Sequence, residues 1–144
     1  MSHRIVVGYD DSGSAKSALE FAMNLTKTQG GSIVVAHVLE WSPYSFLTPT
    51  ELEERHMRRR EELERANAAL LAPLVESLKD SGVAISTALK YGHISETLCE
   101  IATQEGADQI VVGRTGSSGL SSRLFGSVAG SLAQSAPVPV TIVP

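Results

Sequence analysis

The residues best suited to chemistry run from Gly113 to Ser127: Gly-Arg-Thr-Gly-Ser-Ser-Gly-Leu-Ser-Ser-Arg-Leu-Phe-Gly-Ser. An apolar run, Ile110-Val111-Val112, precedes them, and a helix-like segment from Val128 to Gln134 follows. A strand feeding a glycine- and serine-rich loop and then a helix is a construction that holds phosphate. Glycine admits close approach of the backbone to an anion, free N–H groups point at it, and the helix dipole favours negative charge there. Read locally, the same stretch is equally a surface loop that closes a strand–helix connection. A second polar cluster, Asp10-Asp11-Ser12, follows the apolar run Ile5-Val6-Val7-Gly8-Tyr9. A carboxylate there can accept hydrogen bonds from sugar hydroxyls or hold a magnesium ion.

The elements that must position these clusters are legible from periodicity. Ile5–Tyr9 and Ile33–Leu39 are β-branched runs of the kind buried on both faces of a parallel sheet. Between them lies a helix pattern with Ala15, Ala18, Leu19, Ala22 and Leu25 on one face, stopped by Gly30-Gly31. After a break containing Trp41, Pro43, Tyr44 and Phe46, Thr48-Pro49-Thr50-Glu51 has the form of a capping box. The helix it opens is densely charged through Arg65, with Glu51/Arg55, Glu54/Arg58 and Glu61/Arg65 one turn apart. Acidic neighbours nearly cancel Arg58-Arg59-Arg60, which reads as a solvated face. Leu63, Ala66, Leu70, Leu74 and Leu78 form its packing stripe, and Pro73 should kink or split it. Val83–Tyr91 alternates like an edge strand, 92–106 reads as a helix, and a proline-flanked strand closes the chain. Alternating strands and helices predict one α/β domain over residues 1–144, built on an open parallel sheet.

In such a sheet ligands collect beyond the carboxyl ends of the strands, where strand order reverses. With the first and fourth strands adjacent at that point, Asp10 and the Gly113–Ser127 loop converge on one crevice. Val7 and Val38, near the ends of adjacent strands, would floor an apolar slot for a base. A glycine-rich anion cradle facing a carboxylate is the constellation a nucleotide needs.

At this point the chain resembles the universal stress proteins, over essentially all 144 residues. The most specific element is Gly113-x2-Gly116-x9-Gly126-Ser127, the spacing of the family's ATP-binding branch. Val7-Gly8-Tyr9-Asp10-Asp11-Ser12 and the closing Gly126-Ser127-Val128…Ala136-Pro137-Val138-Pro139-Val140 are similar to the family's ends. The resemblance implies a Rossmann-like, adenine-nucleotide α-hydrolase-like sheet of five strands ordered 3-2-1-4-5, with helices on both faces. It also implies homodimers paired through the last strand, Val138–Val143. Carried over, Asp10 would contact the ribose and Val38 the adenine. Gly113, Gly116, Gly126 and Ser127 would take the phosphates, Val128 following at the helix start. Arg114 and Arg123, in the same loop, are candidates for further charge compensation, and a solvent-exposed or dimer-contact role is as open for either. The expected ligand is ATP, with Mg2+ reaching Asp10 through the nucleotide; AMP or a cyclic nucleotide suits the same constellation. The family often has glycine after the aspartate. Here it is Asp11, a second carboxylate that would either aid a metal or weaken an anion's affinity.

Other chemistries find less support. No Gly-Lys-Ser/Thr is present, so the loop is not a P-loop, and Gly8 precedes the first turn instead of opening a dinucleotide fingerprint. Gly92-His93-Ile94-Ser95 is not the His-x-Gly-His of nucleotidylyl transferases, and His3, His37, His56 and His93 show no metal spacing. His37, inside an apolar strand, reads as a satisfied core histidine. No paired nucleophile and general base is identifiable near the loop, so no residue is assigned as catalytic and hydrolysis is expected to be slow at most. A flavodoxin-like flavin protein is a more distant reading. The principal alternative is an interaction module of the same fold that has lost its ligand. A net charge of −4 carries no footprint for nucleic acid, and the single Cys99 excludes an internal disulfide. No apolar run reaches the roughly 20 residues of a membrane span, and no signal-peptide core precedes the first strand. These features lead to the expectation of a cytoplasmic protein, and the resemblance implies a stress-response or sensor role.

Overall fold

The computed structural model describes residues 3–40, 48–115 and 127–144. Five parallel strands form one sheet: β1 (Arg4–Gly8), β2 (Ser32–Glu40), β3 (Ala84–Gly92), β4 (Gln109–Gly113) and β5 (Val140–Val143). Their spatial order is β3-β2-β1-β4-β5, as the resemblance implied. Val6 lies opposite both Val34 and Ile110, so the most apolar residues of three strands share one level of the sheet. Parallel strands need crossovers, and among the described residues five α-helices provide them: α1 (Gly13–Gln29), α2 (Pro49–Ala66), α3 (Ala72–Leu78), α4 (Ile94–Gln104) and α5 (Ser127–Ser135).

Side-chain alternation divides the core between the two faces. Ile5, Val7, Ile33, Val35 and Val111 point toward α1, where Ala18 and Ala22 are fully buried and small enough to bring the helix close. Val6, Val34, Ala36, Val38, Ile110 and Val112 point toward α4 and α5, against Leu98, Ile101, Ala129 and Leu132. Cys99 packs at the margin of this second cluster, and burial pushes its thiol up, favouring the neutral form.

Pro73 splits the long helix in a specific way. A π-helical turn, Asn67–Leu71, joins α2 to α3, and the Ala72 N–H reaches back five residues to the Asn67 carbonyl. Proline in an α-helix lacks an N–H and crowds the carbonyl four residues back; a widened turn just before it relieves the crowding. The turn also rephases the helix face. Leu71, outside the expected stripe, becomes the fully buried anchor, while Leu70, Leu74 and Leu78 pack partly buried around it. The charged α2 buries no residue; Arg58–Glu54 (3.9 Å) and Arg65–Glu61 (3.8 Å) pair along it, and Arg59 lies over the Tyr91 ring.

Arg4 ties down the edge of the sheet where β1 begins. Its guanidinium meets Glu105 at 2.8 Å and its N–H donates to Asp108. The opposite edge, where the strands end, holds the polar clusters.

Candidate functional site

β1 ends in a tightly bonded turn. The Asp10 carboxylate oxygen Oδ1 accepts from the Ser12 N–H at 3.1 Å and from the Ser12 hydroxyl at 2.5 Å. Ser12 is also the N-cap of α1, its Oγ accepting from the Ala15 N–H at 3.1 Å. One carboxylate therefore orients the hydroxyl that caps the helix, fixing where α1 leaves the sheet. To make this turn Asp11 adopts φ 64°, the left-handed region that favours glycine and that Asp tolerates. Its carboxylate accepts from the Tyr9 hydroxyl at 3.2 Å and stands 3.6 Å from Lys16 Nζ. Burial and the Asp11 carboxylate both raise the Tyr9 hydroxyl's pKa above its ordinary value.

Asp11→Val is therefore expected to lower stability by about 1–2 kcal/mol, because a β-branched side chain is strained at positive φ. Asp11→Gly should stay within roughly 0.5 kcal/mol, since the exposed Lys16 pair contributes little. Urea denaturation of the two variants checks both values.

A cleft opens at the ends of β1, β2 and β4, where strand order reverses. Asp10, Val38, Gly113, Arg114, Ser127 and Val128 all line it. Val7 does not. Its side chain is fully buried on the α1 face, one position out of phase with Val38 and Ala36 on the other face. The apolar floor comes instead from Gly8, Ala36, Leu98 and Val112, with Ile94 at one wall. A Cβ on Gly8 would stand 3.0 Å from Val112 and 3.2 Å from Leu98, so glycine keeps this floor flat. Asp11 is not part of the lining; its carboxylate is turned to Tyr9 and Lys16. Gly116, Arg123 and Gly126 lie outside the described residues.

Gly113 has a structural reason to be glycine. A Cβ there would come within 2.3 Å of Ser14 Oγ and 2.7 Å of the Ser14 carbonyl carbon, because the first turn of α1 rests on the end of β4. The Arg114 N–H donates to the Val143 carbonyl at 2.7 Å, and the Thr115 N–H to Ser14 Oγ at 3.3 Å. His37, which borders the cleft, has Nδ1 2.6 Å from the Tyr9 carbonyl. A carbonyl only accepts, so Nδ1 carries the proton in this contact.

Chemically, the cleft pairs an apolar floor with a carboxylate on one rim. The start of a helix stands on the other, the arrangement that receives a flat apolar ring at one end and an anion at the other. Among the described residues no three His, Cys, Asp or Glu side chains cluster to hold a metal, and no helix is long and apolar enough to cross a membrane.

Comparison with known proteins agrees with this architecture. Residues 1–144 match the Universal stress protein family. A universal stress protein of Thermus aquaticus is 31% identical over 144 residues, covering 99% of each chain. Among solved structures, universal stress protein UspA from Lactobacillus plantarum superposes with a TM-score of 0.81 at 24% identity, over 99% of this chain and 97% of that one. A universal stress protein in complex with cAMP gives a TM-score of 0.62 at 25% identity (99% and 96% covered). An Arabidopsis thaliana family member with AMP bound gives 0.64 at 20% (98% and 90% covered). With its whole length matched by the family model, the chain belongs to the universal stress protein family.

Proposed function

We propose that the cleft binds an adenine nucleotide, ATP being the ligand the glycine spacing suits, and that occupancy governs the protein's contacts with a second copy and with partners. The observation that carries this reading is the convergence of Asp10, Val38, Gly113 and Ser127 on one cleft at the switch point of the sheet. In this reading the adenine lies on the floor between Gly8, Ala36 and Val38, and the ribose hydroxyls donate to Asp10. The phosphates meet the glycine loop and the N-terminus of α5, where Ser127 offers a hydroxyl and Arg114 and Arg123 add charge. Magnesium would arrive with the phosphates, and Asp10 is the carboxylate placed to meet it. The AMP and cAMP held by the two related structures support an adenine ligand. The edge strand β5, half-buried and within the proline-flanked Val138–Val143, is the pairing surface for a homodimer.

The test is acid release of nucleotide from the purified protein, identified by mass spectrometry, followed by titration calorimetry with ATP, AMP and cAMP. An adenine nucleotide in the extract and saturable ATP binding are expected. An empty extract and no heat with any of the three would leave the ligand-free interaction module as the reading. Turnover of ATP is expected below about 1 s⁻¹, since no nucleophile–base pair is assigned; a rate within the ~1–10³ s⁻¹ usual for enzymes would overturn the binding-protein assignment.

A further inference from the structure

We propose that Glu40 selects the base, accepting from an exocyclic amino group at the edge of a purine and so favouring 6-aminopurine over 6-oxopurine nucleotides. The inference rests on the nucleotide reading of the cleft and adds to it a residue that reads the base. Ala36 and Val38 belong to the cluster that faces α4 and α5. Side chains alternate along a strand, so Glu40, two residues past Val38, rises on that same face. In keeping with this phase, it lines the cleft together with Val38 and with Ile94 at the start of α4. Its backbone is held in register opposite Gly92 of β3, so the side chain springs from a paired strand and not from a loop.

Two properties fit this position to recognition. Among the described residues no hydrogen bond or ion pair engages the Glu40 carboxylate. The floor beside it, at Gly8, Ala36 and Val38, offers a base no polar side chain, so the specific partner stands at the rim. An ionised carboxylate has lone pairs and no proton to give. It accepts from the amino group of adenine and repels the carbonyl oxygen that guanine or hypoxanthine carries at the same place. Glu40 is exposed and also borders a polar groove lined by His93, Ser95 and Ser131. Solvent therefore competes for it, and its contribution is that of one hydrogen bond and not of a buried charge. With Asp10 at the ribose, the two carboxylates divide sugar from base.

The experiment measures the affinities of ATP and of purine riboside triphosphate, which lacks only the 6-amino group, by titration calorimetry without metal. Wild type is expected to hold ATP about tenfold tighter than the analogue, the size of one hydrogen bond. In Glu40→Ala the preference should fall to within about twofold of none, and in Glu40→Gln, whose amide oxygen still accepts, about threefold should remain. An unchanged preference in Glu40→Ala overturns the proposal. That holds whether both ligands weaken together, through a general effect on the cleft, or tighten together, because the carboxylate stands beside the phosphates. Wild type that binds both ligands equally overturns the role of Glu40 and leaves the nucleotide reading in place. Wild type that binds neither overturns the nucleotide reading itself.

Discussion

Gly113→Val is expected to lower stability by about 3 kcal/mol and to abolish measurable ATP binding. The stability figure is the upper end of the ~1–3 kcal/mol usual for overpacking. The obstructing atoms justify the upper end. The new Cβ would stand 2.7 Å from a backbone carbon of Ser14 as well as 2.3 Å from its Oγ, so a rotamer change cannot clear it. The first turn of α1 must lift from β4, and the cap of Ser12 by Asp10 lies in that same turn. Two reasons for glycine make different forecasts here. Were Gly113 needed only to let a phosphate approach, the variant would lose ATP and keep its urea midpoint. With α1 seated on it, stability falls even without ligand. A double-mutant cycle of Gly113→Ala with Ser14→Gly isolates the side-chain part of the clash: the second change should recover about 1 kcal/mol or more of the first, outside the ~0.3–0.5 kcal/mol scatter of independent sites. A Gly113→Val protein as stable as wild type would show that α1 does not rest on β4.

How much of this could be read from the chain depended on whether each residue's partner was near in sequence. Ile5–Val7, Ile33–Leu39 and Ile110–Val112 announced themselves as buried strands through β-branched runs, and the switch-point rule then brought Asp10 and Ser127 together. The order of the five strands came from the resemblance, because composition says that strands are buried and not which are neighbours. Phase was invisible in β1. With both faces covered by helices, Val6 and Val7 have no polar neighbour to mark inside from outside, so the sequence alone points Val7 into a slot that Gly8 and Ala36 floor. The π-helical turn likewise hid Leu71, since a strict 3.6-residue stripe passes through Leu70 and Leu74. Pro73 signalled a break without saying that an added residue would rotate the face. Asp11, where the resemblance implies glycine, takes φ 64°, a left-handed backbone that favours glycine and that aspartate tolerates. Ser14 gave no signal, being one serine among several at a helix start, with its partners at Thr115 and Val143 far along the chain.

Asp10 carries the second large expected effect, and its two proposed roles can be separated. Asp10→Ala should lower stability by about 2 kcal/mol and ATP affinity by more than tenfold. The stability loss follows from Oδ1 accepting two hydrogen bonds from Ser12, since bonds to a charged acceptor contribute ~1.5–3 kcal/mol. Without that acceptor the Ser12 hydroxyl loses the partner that turns its lone pair toward the Ala15 N–H, and the α1 cap weakens as well. Asp10→Asn removes the charge and keeps Oδ1 as an acceptor, so the turn should survive with a loss of about 1 kcal/mol or less. Its ligand profile then distinguishes the roles. A ribose hydroxyl is satisfied by an amide oxygen nearly as well as by a carboxylate, so adenosine and metal-free ATP should bind Asp10→Asn within a few-fold of wild type. A magnesium ion takes hard anionic oxygen, so MgATP alone should weaken further, by about tenfold, if Asp10 reaches the metal. Equal weakening of all three ligands would remove magnesium from the site and leave Asp10 as the turn-former and ribose acceptor.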